Sequence, residues 1–326
     1  MTQAVVDLIV GAKRITIFCH ENPDADTLGA GLALLIAAER RGKQAEIVCA
    51  DPPPPMLAFL PRVGEVRRAP RLEPDVAIIV DAGDLSRLGS VATEHADWLA
   101  KARVVNIDHH VSNPGYGEAQ LVDAGAAATC EIVAALLPRL GVEIDLELAT
   151  ALLSGIAADT RTFAHPNATP TTLRTAADLV AAGAPLSEIN RRLYVDRPYS
   201  TVALWGQILS GVQERRDARI VHATMTLPML AAAGALPSAS EGFIDLLTSV
   251  QSAEISVLFK EAEGDTVRVS VRTRAVADAV AITTAFGGGG HARAAGCSVD
   301  GPLDAARERV LAECERELAR ADAGGR

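Results

Sequence analysis

The chain contains 326 residues, of which 49% are hydrophobic and 22% charged, a composition typical of soluble globular proteins. Its length favours about two domains. No uncharged apolar run approaches the roughly 18 residues that span a bilayer. The N-terminal stretch MTQAVVDLIVGAKR lacks the basic start of a signal peptide and predicts a first helix. We therefore expect a cytoplasmic protein with no membrane partner.

The formal net charge is −10, which argues against long duplex DNA as a partner, because such binding requires many Lys and Arg contacts to phosphates. Anions of nucleotide size remain compatible, since a local metal or arginine cluster outweighs the global field. The five cysteines are scattered, odd in number and without a C-x-x-C pair. They predict small buried side chains rather than disulfides or a zinc ribbon. These residues are Cys19, Cys49, Cys130, Cys297 and Cys314.

Residues 14–180 alternate short β-branched runs with longer Ala/Leu-rich segments. This alternation predicts a parallel sheet of strand–helix–strand units with helices on both faces. The strand candidates are RITIFC from residue 14, AEIVCA from 45, VAIIV from 76 and RVVNI from 103. The helix candidates begin after Asp26, after Ala128 and within DLELATALLSGIAAD. We expect this α/β domain to cover residues 1–185.

The pattern changes near residue 184, where APLSEINRRLYVDRPYSTVALWGQILSGV predicts helices with little strand character. We expect a helical linker over residues 186–214, then a smaller α/β domain with a mixed sheet over 215–326. In that domain RIVHATMTL predicts a strand, EISVLFKEAEGDTVRVSVRTR predicts a hairpin that turns at EGD, and DAARERVLAECERELARA predicts a charged helix. The glycine run at 287–290 is expected between two helical segments.

Aspartates and histidines follow three of the predicted strands. In an open parallel sheet, ligands collect outside the carboxyl ends of the strands. The residues there are His20, Asp24 and Asp26 after the first strand, Asp81 and Asp84 after VAIIV, and Asp108, His109 and His110 after RVVNI. Asp159 closes the helical segment LLSGIAADTRTF. Four separate segments thus deliver these side chains to one edge of the sheet.

Each segment also has an ordinary structural interpretation. HENPDAD and DAGD could be helix caps or turns, DHH a satisfied hydrogen-bond network, and Asp159–Thr160 a helix C-terminal turn. Together, however, so many acidic groups would raise one another's pKa unless a cation were bound. Carboxylates with a few imidazoles suit Mn²⁺ better than Ca²⁺ or structural Zn²⁺, with Mg²⁺ as the alternative.

The number of candidate ligands is sufficient for two divalent metal ions. Two ions a few ångströms apart could bind both sides of a phosphate, generate a hydroxide for attack on phosphorus, and offset the charge that develops there. The pattern therefore indicates a hydrolase that acts on phosphoesters.

The stretch LGAGLAL at residues 28–34 offers a competing interpretation as a dinucleotide-binding loop, because Gly29 and Gly31 follow a strand and open a helix. However, Leu34 replaces the third glycine of G-x-G-x-x-G, and the two preceding aspartates would repel a pyrophosphate. We interpret the glycines instead as positions of close helix packing.

The stretch FGGGGHARAAGC at residues 286–297 is the second unusual segment. Backbone N–H groups of Gly288, Gly289 and Gly290 could approach an anion, with His291 and Arg293 as further donors. The Walker spacing and its lysine are absent. A flexible linker is the alternative interpretation.

In VRVSVRTR, period-two alternation places Arg268, Arg272 and Arg274 on one face of a strand. Arginine is suited to bidentate binding of phosphate. A solvated strand face is the alternative interpretation of these residues.

The ordered set HENPDAD, VDAGD, IDHH and GIAADT, followed by VRVSVRTR and FGGGGHARAAG, closely resembles the DHH phosphoesterase superfamily. The similarity is strongest to its short bacterial NrnA-like branch, which carries a DHH-associated C-terminal domain, and it spans nearly the whole chain. The resemblance implies one Mn²⁺ held by His20, Asp24 and Asp81, and a second held by Asp26, Asp81, His109 and Asp159. Asp81 would bridge the two ions.

The resemblance also implies roles for residues beyond the metal ligands. Asp108 and His110 would orient the ligands and the reacting phosphate, so that Asp81, Asp108 and His110 form the predicted catalytic set. Arg272 and His291 would grip the substrate, and Gly288, Gly289 and Gly290 would bring the backbone near it. One departure from the family pattern is DTRTF, where Arg161 replaces the glycine of many members; it leaves substrate preference open.

Members of this branch degrade very short RNA to mononucleotides and often remove the 3′-phosphate from 3′-phosphoadenosine 5′-phosphate. The resemblance thus implies a metal-dependent exoribonuclease, or nanoRNase, whose substrates are short RNA oligonucleotides or nucleotides. A terminal phosphate held by Arg272 and His291 would place the next phosphodiester over the metals. The alternatives are a phosphodiesterase of linear or cyclic dinucleotides such as pApA, an inorganic pyrophosphatase or polyphosphatase, and a non-enzymatic nucleotide sensor. A homodimer is kept as an open alternative to a monomer.

Overall fold

The computed structural model describes residues 2–73 and 75–324. The chain forms two compact units, Met1–Asp196 and Arg197–Arg326, each with its own sheet and hydrophobic core. The segment 186–214 contributes to both units, because helix Leu186–Asn190 belongs to the first and helix Tyr199–Ser210 to the second. In the part of the chain that the structure describes, every helix falls short of the length or apolarity needed to cross a membrane.

The first unit contains a parallel sheet of five strands. They are β1 (Arg14–Phe18), β2 (Gln44–Val48), β3 (Val76–Val80), β4 (Arg103–Asp108) and β5 (Ala119–Val122). The spatial order is β2-β1-β3-β4-β5, and each neighbouring pair is parallel. The four predicted strands are confirmed, whereas the short, half-buried β5 was missed. The order reverses direction beside β1 and β3, which is where open sheets of this type bind ligands.

Helices cover both faces of this sheet. They are α1 (Thr2–Gly11), α2 (Ala25–Arg40), α3 (Ser90–Glu94), α4 (Ala96–Leu99), α5 (Thr129–Leu136), α6 (Leu146–Asp159), α7 (Pro170–Ala181) and α8 (Leu186–Asn190). Successive strand residues point to opposite faces: Ile17 and Ile78 pack in the core shared with α2, α5 and α6, and Phe18 and Ile79 pack with α3 and α4. The predicted arrangement is therefore confirmed.

Short turns complete the first unit. The 3₁₀ turns are Pro55–Leu57, Val63–Glu65, Leu85–Leu88 and Leu137–Leu140, and Arg191–Val195 forms a π-turn. The 3₁₀ turn Leu85–Leu88 follows the loop of residues 81–84, which connects it to β3 and carries Asp81.

Helix α2 is buried along almost its whole length between the sheet and its neighbouring helices. It begins two residues earlier than predicted, because Asp24 accepts hydrogen bonds from the backbone N–H groups of Asp26 and Thr27 and caps the first turn. A Cβ at Gly29 would lie 2.5 Å from the Ala151 carbonyl oxygen of α6. The glycines of LGAGLAL therefore serve close helix packing, as interpreted from the sequence.

The second unit contains a mixed sheet of six strands. They are β6 (Gln213–Arg215), β7 (Ile220–Met225), β8 (Ile255–Ala262), β9 (Thr266–Thr273), β10 (Gly289–His291) and β11 (Ala294–Asp300). The order is β10-β11-β9-β8-β7-β6; β7 and β8 pair in parallel, and the other neighbours are antiparallel. The predicted mixed sheet and the EGD hairpin are confirmed.

Within residues 197–324, five helices pack around this second sheet. They are α9 (Tyr199–Ser210), α10 (Leu227–Ala233), α11 (Phe243–Leu247), α12 (Ala279–Thr284) and α13 (Leu303–Gly324), with a 3₁₀ turn at Pro237–Ser240. The charged C-terminal helix α13 agrees with the prediction.

The expectation that the glycine run connects two helical segments was wrong. Helix α12 precedes it, but β10 and β11 form a hairpin there. The alanine-rich sequence suggested a helix, whereas pairing with β9 buries Ala295 and Val299 on one face of a strand. At Gly290 the backbone has φ 142°, and a Cβ would lie 2.5 Å from the Ala294 carbonyl oxygen. Only glycine fits this position without strain.

Candidate metal centre and phosphate-binding face

The six predicted metal ligands come together at the carboxyl edge of the first sheet. They are His20, Asp24, Asp26, Asp81, His109 and Asp159. His20, Asp81 and His109 follow β1, β3 and β4, and β3 lies between the other two strands. Asp81 therefore occupies the centre of the cluster, while α2 and α6 bring in the remaining carboxylates.

The two carboxylate oxygens of Asp81 face two different groups of ligands. Oδ2 lies 3.5 Å from His20 Nε2, which is 3.6 Å from Asp24 Oδ2. Oδ1 lies 3.5 Å from His109 Nε2, which is 3.3 Å from Asp159 Oδ2. This placement is the one that a carboxylate bridging two cations requires.

Asp26 completes the second group from a fully buried position. Its Oδ2 is 4.0 Å from His109 Nε2 and accepts a hydrogen bond of 2.7 Å from the Thr129 backbone N–H. Its Oδ1 accepts one of 2.9 Å from the Cys130 N–H. Both donors lie at the N-terminus of α5, where unpaired N–H groups favour a carboxylate. The helix end therefore fixes this side chain.

The ring of His20 is oriented by a backbone contact. Nδ1 lies 2.7 Å from the Glu21 carbonyl oxygen, so the Nδ1–H tautomer donates there and leaves Nε2 directed at Asp24 and Asp81. Metal-binding histidines in proteins usually have such a partner on the second nitrogen. The geometry suits a ligand.

Asp108 lies beside the cluster and connects it to His110. It is buried and accepts hydrogen bonds from His110 Nδ1 at 2.7 Å, from the His109 N–H at 2.8 Å and from Asn113 Nδ2 at 2.6 Å. Burial opposes its ionisation, but the bonds from His110 and Asn113 outweigh burial and lower the pKa of Asp108. Asp108 in turn raises the pKa of His110. The arrangement suits the orienting roles implied for both residues.

The cluster concentrates negative charge. Burial, followed by neighbouring carboxylates, raises the pKa of Asp26 and of Asp159 well above the ordinary range. For His20, burial opposes the charged form, but Asp24 and Asp81 dominate and raise its pKa to about 10. Such a cluster needs protons or cations to balance it. Its carboxylate and imidazole donors fit a pair of divalent cations.

Asp84 and Asp24 each cap the first turn of a helical segment. Asp84 caps the 3₁₀ turn Leu85–Leu88 by accepting a hydrogen bond of 2.8 Å from the Ser86 N–H, and it belongs to none of the ligand groups in the described residues. The helix-cap interpretation therefore applies to Asp84. Asp24 combines both interpretations, since its Oδ1 caps α2 and its Oδ2 faces His20.

The segment after Asp159 has a left-handed backbone at the position where Arg161 departs from the family pattern. Arg161, Thr162 and Phe163 have φ values of 48°, 50° and 65°. This left-handed region favours glycine. The position in DTRTF thus has the backbone conformation that suits the glycine expected from the resemblance.

The predicted substrate residues lie in the second unit. Arg272 on β9 pairs with Ala294 on β11, which pairs with His291 on β10. Residues directly opposite one another in neighbouring strands share a face, so Arg272 and His291 project from the same side of the sheet. We call this row of Arg272, Ala294 and His291 the phosphate row. Arg272 Nε is 3.7 Å from Asp245 Oδ1.

The glycines before His291 have different constraints. A Cβ at Gly288 would collide with the Gly296 carbonyl oxygen, and Gly290 is required by the hairpin, whereas a Cβ at Gly289 would meet no atom within 4 Å. Packing therefore explains the glycines at positions 288 and 290, whereas it places no such constraint on Gly289.

Two other arginines of the predicted phosphate-binding segments have structural contacts. Arg293 Nη1 donates to the Ala277 carbonyl oxygen at 2.9 Å. Arg274 donates to the Gln251 and Thr248 carbonyl oxygens at 2.7 and 2.8 Å. These bonds hold the backbone around α11 and α12 and favour a structural role.

Sequence reasoning missed the side chains of Thr129 and Asn113, which contact Asp81 and Asp108. Thr129 Oγ1 donates to Asp81 Oδ1 at 2.9 Å, and Asn113 Nδ2 donates to Asp108. The start of a helix after Ala128 was a usable signal for Thr129, because N-terminal N–H groups bind carboxylates. Asn113 lies in a loop of irregular structure, and its sequence carried no comparable signal.

Two family descriptions match the chain where these residues lie. The DHH family, N-terminal domain, matches residues 14–156, and the DHHA1 domain matches residues 219–320. The first range contains every cluster residue except Asp159, and the second contains Arg272 and His291. The chain belongs to the DHH phosphoesterase family and is a hydrolytic enzyme.

Individual relatives extend this similarity over nearly the full length. The bifunctional oligoribonuclease and PAP phosphatase NrnA of Thermus thermophilus is 39% identical, with 94% of this chain and 91% of the relative covered. The protein of the same name from Bacillus subtilis is 27% identical, with 92% and 93% covered.

A solved structure shows the same fold. An exopolyphosphatase-related protein from Bacteroides fragilis superposes with a TM-score of 0.90 at 22% identity, and the match covers 98% of this chain and 97% of that one. At this identity the likeness establishes the architecture alone.

Proposed function

We propose that this protein is a Mn²⁺-dependent phosphodiesterase that degrades short oligoribonucleotides to mononucleotides and removes the 3′-phosphate from 3′-phosphoadenosine 5′-phosphate. The observation that carries the proposal is the position of Asp81, whose two oxygens face two separate ligand groups. The substrates are supported by the similarity to the NrnA relatives, which are named for these two activities.

The metal ligands in this proposal form two sets with Asp81 in common. They are His20, Asp24 and Asp81 for one cation, and Asp26, Asp81, His109 and Asp159 for the other. Bound there, the cations would polarise a phosphoryl oxygen and lower the pKa of a water molecule. Mn²⁺ suits donors of mixed carboxylate and imidazole type.

The neighbouring side chains then orient the substrate. Asp108 accepts the Nδ1–H of His110, fixes the ring and, by raising its pKa, favours the doubly protonated form, in which the Nε2–H can donate to a phosphate oxygen. Because Asp108 also accepts from Asn113, its carboxylate keeps one orientation. His110 therefore acts as an oriented donor whose proton position is set by a buried carboxylate.

In this proposal the phosphate row, through Arg272 and His291, selects short substrates. Arg272 and His291 project from one face of the second sheet, and the backbone at Gly289 can approach a ligand without a side chain in between. A terminal phosphate bound by these groups would favour short chains, because it uses a point contact rather than an extended basic channel. The net charge of −10 agrees with such a local contact.

The test is product formation by the full-length protein on 5′-phosphorylated RNA of two to about 25 nucleotides, a range that separates a local phosphate contact from an extended channel. The same assay runs on 3′-phosphoadenosine 5′-phosphate, pApA and pyrophosphate, with Mn²⁺ or with a chelator. We expect mononucleotide release that is fastest on the shortest RNA, phosphate release from 3′-phosphoadenosine 5′-phosphate, and loss of both with the chelator. A preference for pyrophosphate, or turnover that survives the chelator, would contradict the proposal.

A further inference from the structure

We propose that Thr129 is the positioning residue that holds Asp81 in the orientation in which its two oxygens serve the two ligand groups. The inference rests on the proposed function, because it concerns the same pair of cations. It assigns to a residue outside the ligand set the task of keeping the two groups joined.

Thr129 contacts both central carboxylates at once. It is fully buried at the first position of α5. Its hydroxyl donates to Asp81 Oδ1 at 2.9 Å, and its backbone N–H donates to Asp26 Oδ2 at 2.7 Å. One residue thus fixes the relative position of the shared carboxylate and of a carboxylate in the second ligand group.

The hydroxyl is the part of Thr129 that determines the orientation of Asp81. The Asp81 backbone is held separately by its N–H, which donates to the Ile107 carbonyl oxygen at 3.0 Å. That bond leaves the carboxylate free to rotate. Within the described residues, the Asp81 carboxylate accepts its hydrogen bond of 2.9 Å from the Thr129 hydroxyl, while the Nε2 atoms of His20 and His109 lie farther away, at 3.5 Å. Without it, the plane of the carboxylate is no longer fixed toward both groups.

Two pairs of variants isolate the hydroxyl. Thr129→Val replaces it with a methyl group of similar shape, and Thr129→Ser retains it. Thr129→Ser and Thr129→Ala form a second pair, and these two variants differ from each other by the hydroxyl alone. Both substitutions only remove atoms from the native side chain. All three variants keep the backbone N–H that binds Asp26, so the position of Asp26 serves as an internal control.

The experiment is a titration of each metal-free, full-length protein with Mn²⁺. Calorimetry measures the heat of binding, and the electron paramagnetic resonance signal measures the free Mn²⁺. The unsubstituted protein and Thr129→Ser are expected to bind two ions with similar affinity. Thr129→Val and Thr129→Ala are expected to bind at least one ion about 10–100-fold more weakly, as is typical when a partner of a metal ligand is removed. Hydrolysis at saturating Mn²⁺ should recover more fully in Thr129→Ser than in either variant without the hydroxyl.

The outcomes separate this inference from the proposed function. Two tightly bound ions in both hydroxyl-free variants would overturn the role of Thr129 and leave the proposed function standing. Absence of Mn²⁺ binding by the unsubstituted protein would overturn both. If circular dichroism shows that valine disturbs the buried site, the comparison of Thr129→Ser with Thr129→Ala decides the question.

Discussion

At the scale of single residues, the backbone of the candidate site is strained at Asp81, the residue at the centre of the cluster. Asp81 has φ 57° and follows the fully buried strand β3. A left-handed conformation costs an L-residue roughly 1–2 kcal/mol, although aspartate and asparagine tolerate it better than other residues. The turn places the side chain over the edge of the sheet, between His20 and His109. The left-handed turn therefore positions the carboxylate that we propose to be shared by two cations.

Asp81→Asn is expected to abolish most hydrolysis while preserving the fold. Asparagine accepts the same backbone conformation and has nearly the same shape, but it lacks the charge that would bind two cations. We expect kcat/KM to fall at least about 100-fold, because charge stabilisation by the metals is worth several kcal/mol. Steady-state kinetics on a short RNA, together with Mn²⁺ titration, measures both consequences.

Asp84→Asn is the matched control for this substitution. Asp84 lies in the same loop, caps a 3₁₀ turn and belongs to none of the candidate ligand groups formed by the described residues. Asparagine is also a good cap, so activity and Mn²⁺ binding should remain close to those of the unsubstituted protein. Equal losses in both variants would show that the loop, and not the Asp81 carboxylate, is responsible.

At the scale of elements, the site depends on how closely α2 and α6 cross. Both helices carry proposed metal ligands, Asp26 on α2 and Asp159 on α6. At the crossing, a Cβ on Gly155 would lie 2.6 Å from Asp26 Oδ1 and would also collide with Cys130 Sγ. The absence of a side chain at Gly155 therefore allows the Asp26 carboxylate to occupy its place.

Gly155→Ala is expected to destabilise the first unit by about 1–3 kcal/mol, the usual cost of overpacking a core. It should also weaken Mn²⁺ binding, because the new methyl group displaces the Asp26 carboxylate. Chemical denaturation and Mn²⁺ titration measure the two effects.

Gly206→Ala on α9 is the control for Gly155→Ala, because the same substitution is expected to raise stability there instead of lowering it. A Cβ there would meet no atom within 4 Å. The substitution should stabilise the helix by about 0.5–1 kcal/mol, because alanine loses less backbone entropy than glycine. Destabilisation by both substitutions would indicate a general intolerance of alanine in these helices rather than a clash at Gly155.

Elements with a strong hydrophobic period were predictable, and those defined by long-range pairing were not. The four predicted strands are short runs rich in β-branched residues, and the carboxyl ends of three of them placed His20, Asp81 and His109 together at one edge. Strand β5 is short and half-buried, so its period is weak. The glycine run was misassigned because its pairing with β11 depends on residues beyond the run. Thr129 was missed because its contacts with Asp26 and Asp81 are distant in sequence.

At the scale of the whole molecule, the unfolding of each of the two units can be monitored separately by tryptophan fluorescence. The chain contains two tryptophans. Trp98 packs on Phe18 in the first unit with ring centroids 5.3 Å apart, and Trp205 packs on Phe243 in the second at 5.7 Å. Replacement of either tryptophan by phenylalanine leaves a fluorescent reporter for the other unit. The stability of each unit therefore has its own optical signal.

The second unit contains a buried histidine outside the candidate sites. His222 on β7 is 3% exposed and packs edge-on against Phe259. Burial is the main cause that lowers its pKa to about 4, from 6.5 for an ordinary histidine; Arg307 and Arg215 lower it further, and Glu308 opposes them. The folded unit therefore keeps this ring neutral at pH values where the unfolded chain binds a proton.

This difference predicts that acid weakens the second unit through His222. Between pH 6.5 and about 4 the unfolded state binds more protons than the folded state, so the free energy of unfolding falls as the pH is lowered through this window. From about pH 7.5 to about pH 5 the loss attributable to His222 is about 2 kcal/mol. Urea unfolding of the Trp98→Phe protein, followed by Trp205 fluorescence, measures the total change. The same protein with His222→Leu should lose about 2 kcal/mol less over this range, and an equal loss in both proteins would assign the acid sensitivity to other groups.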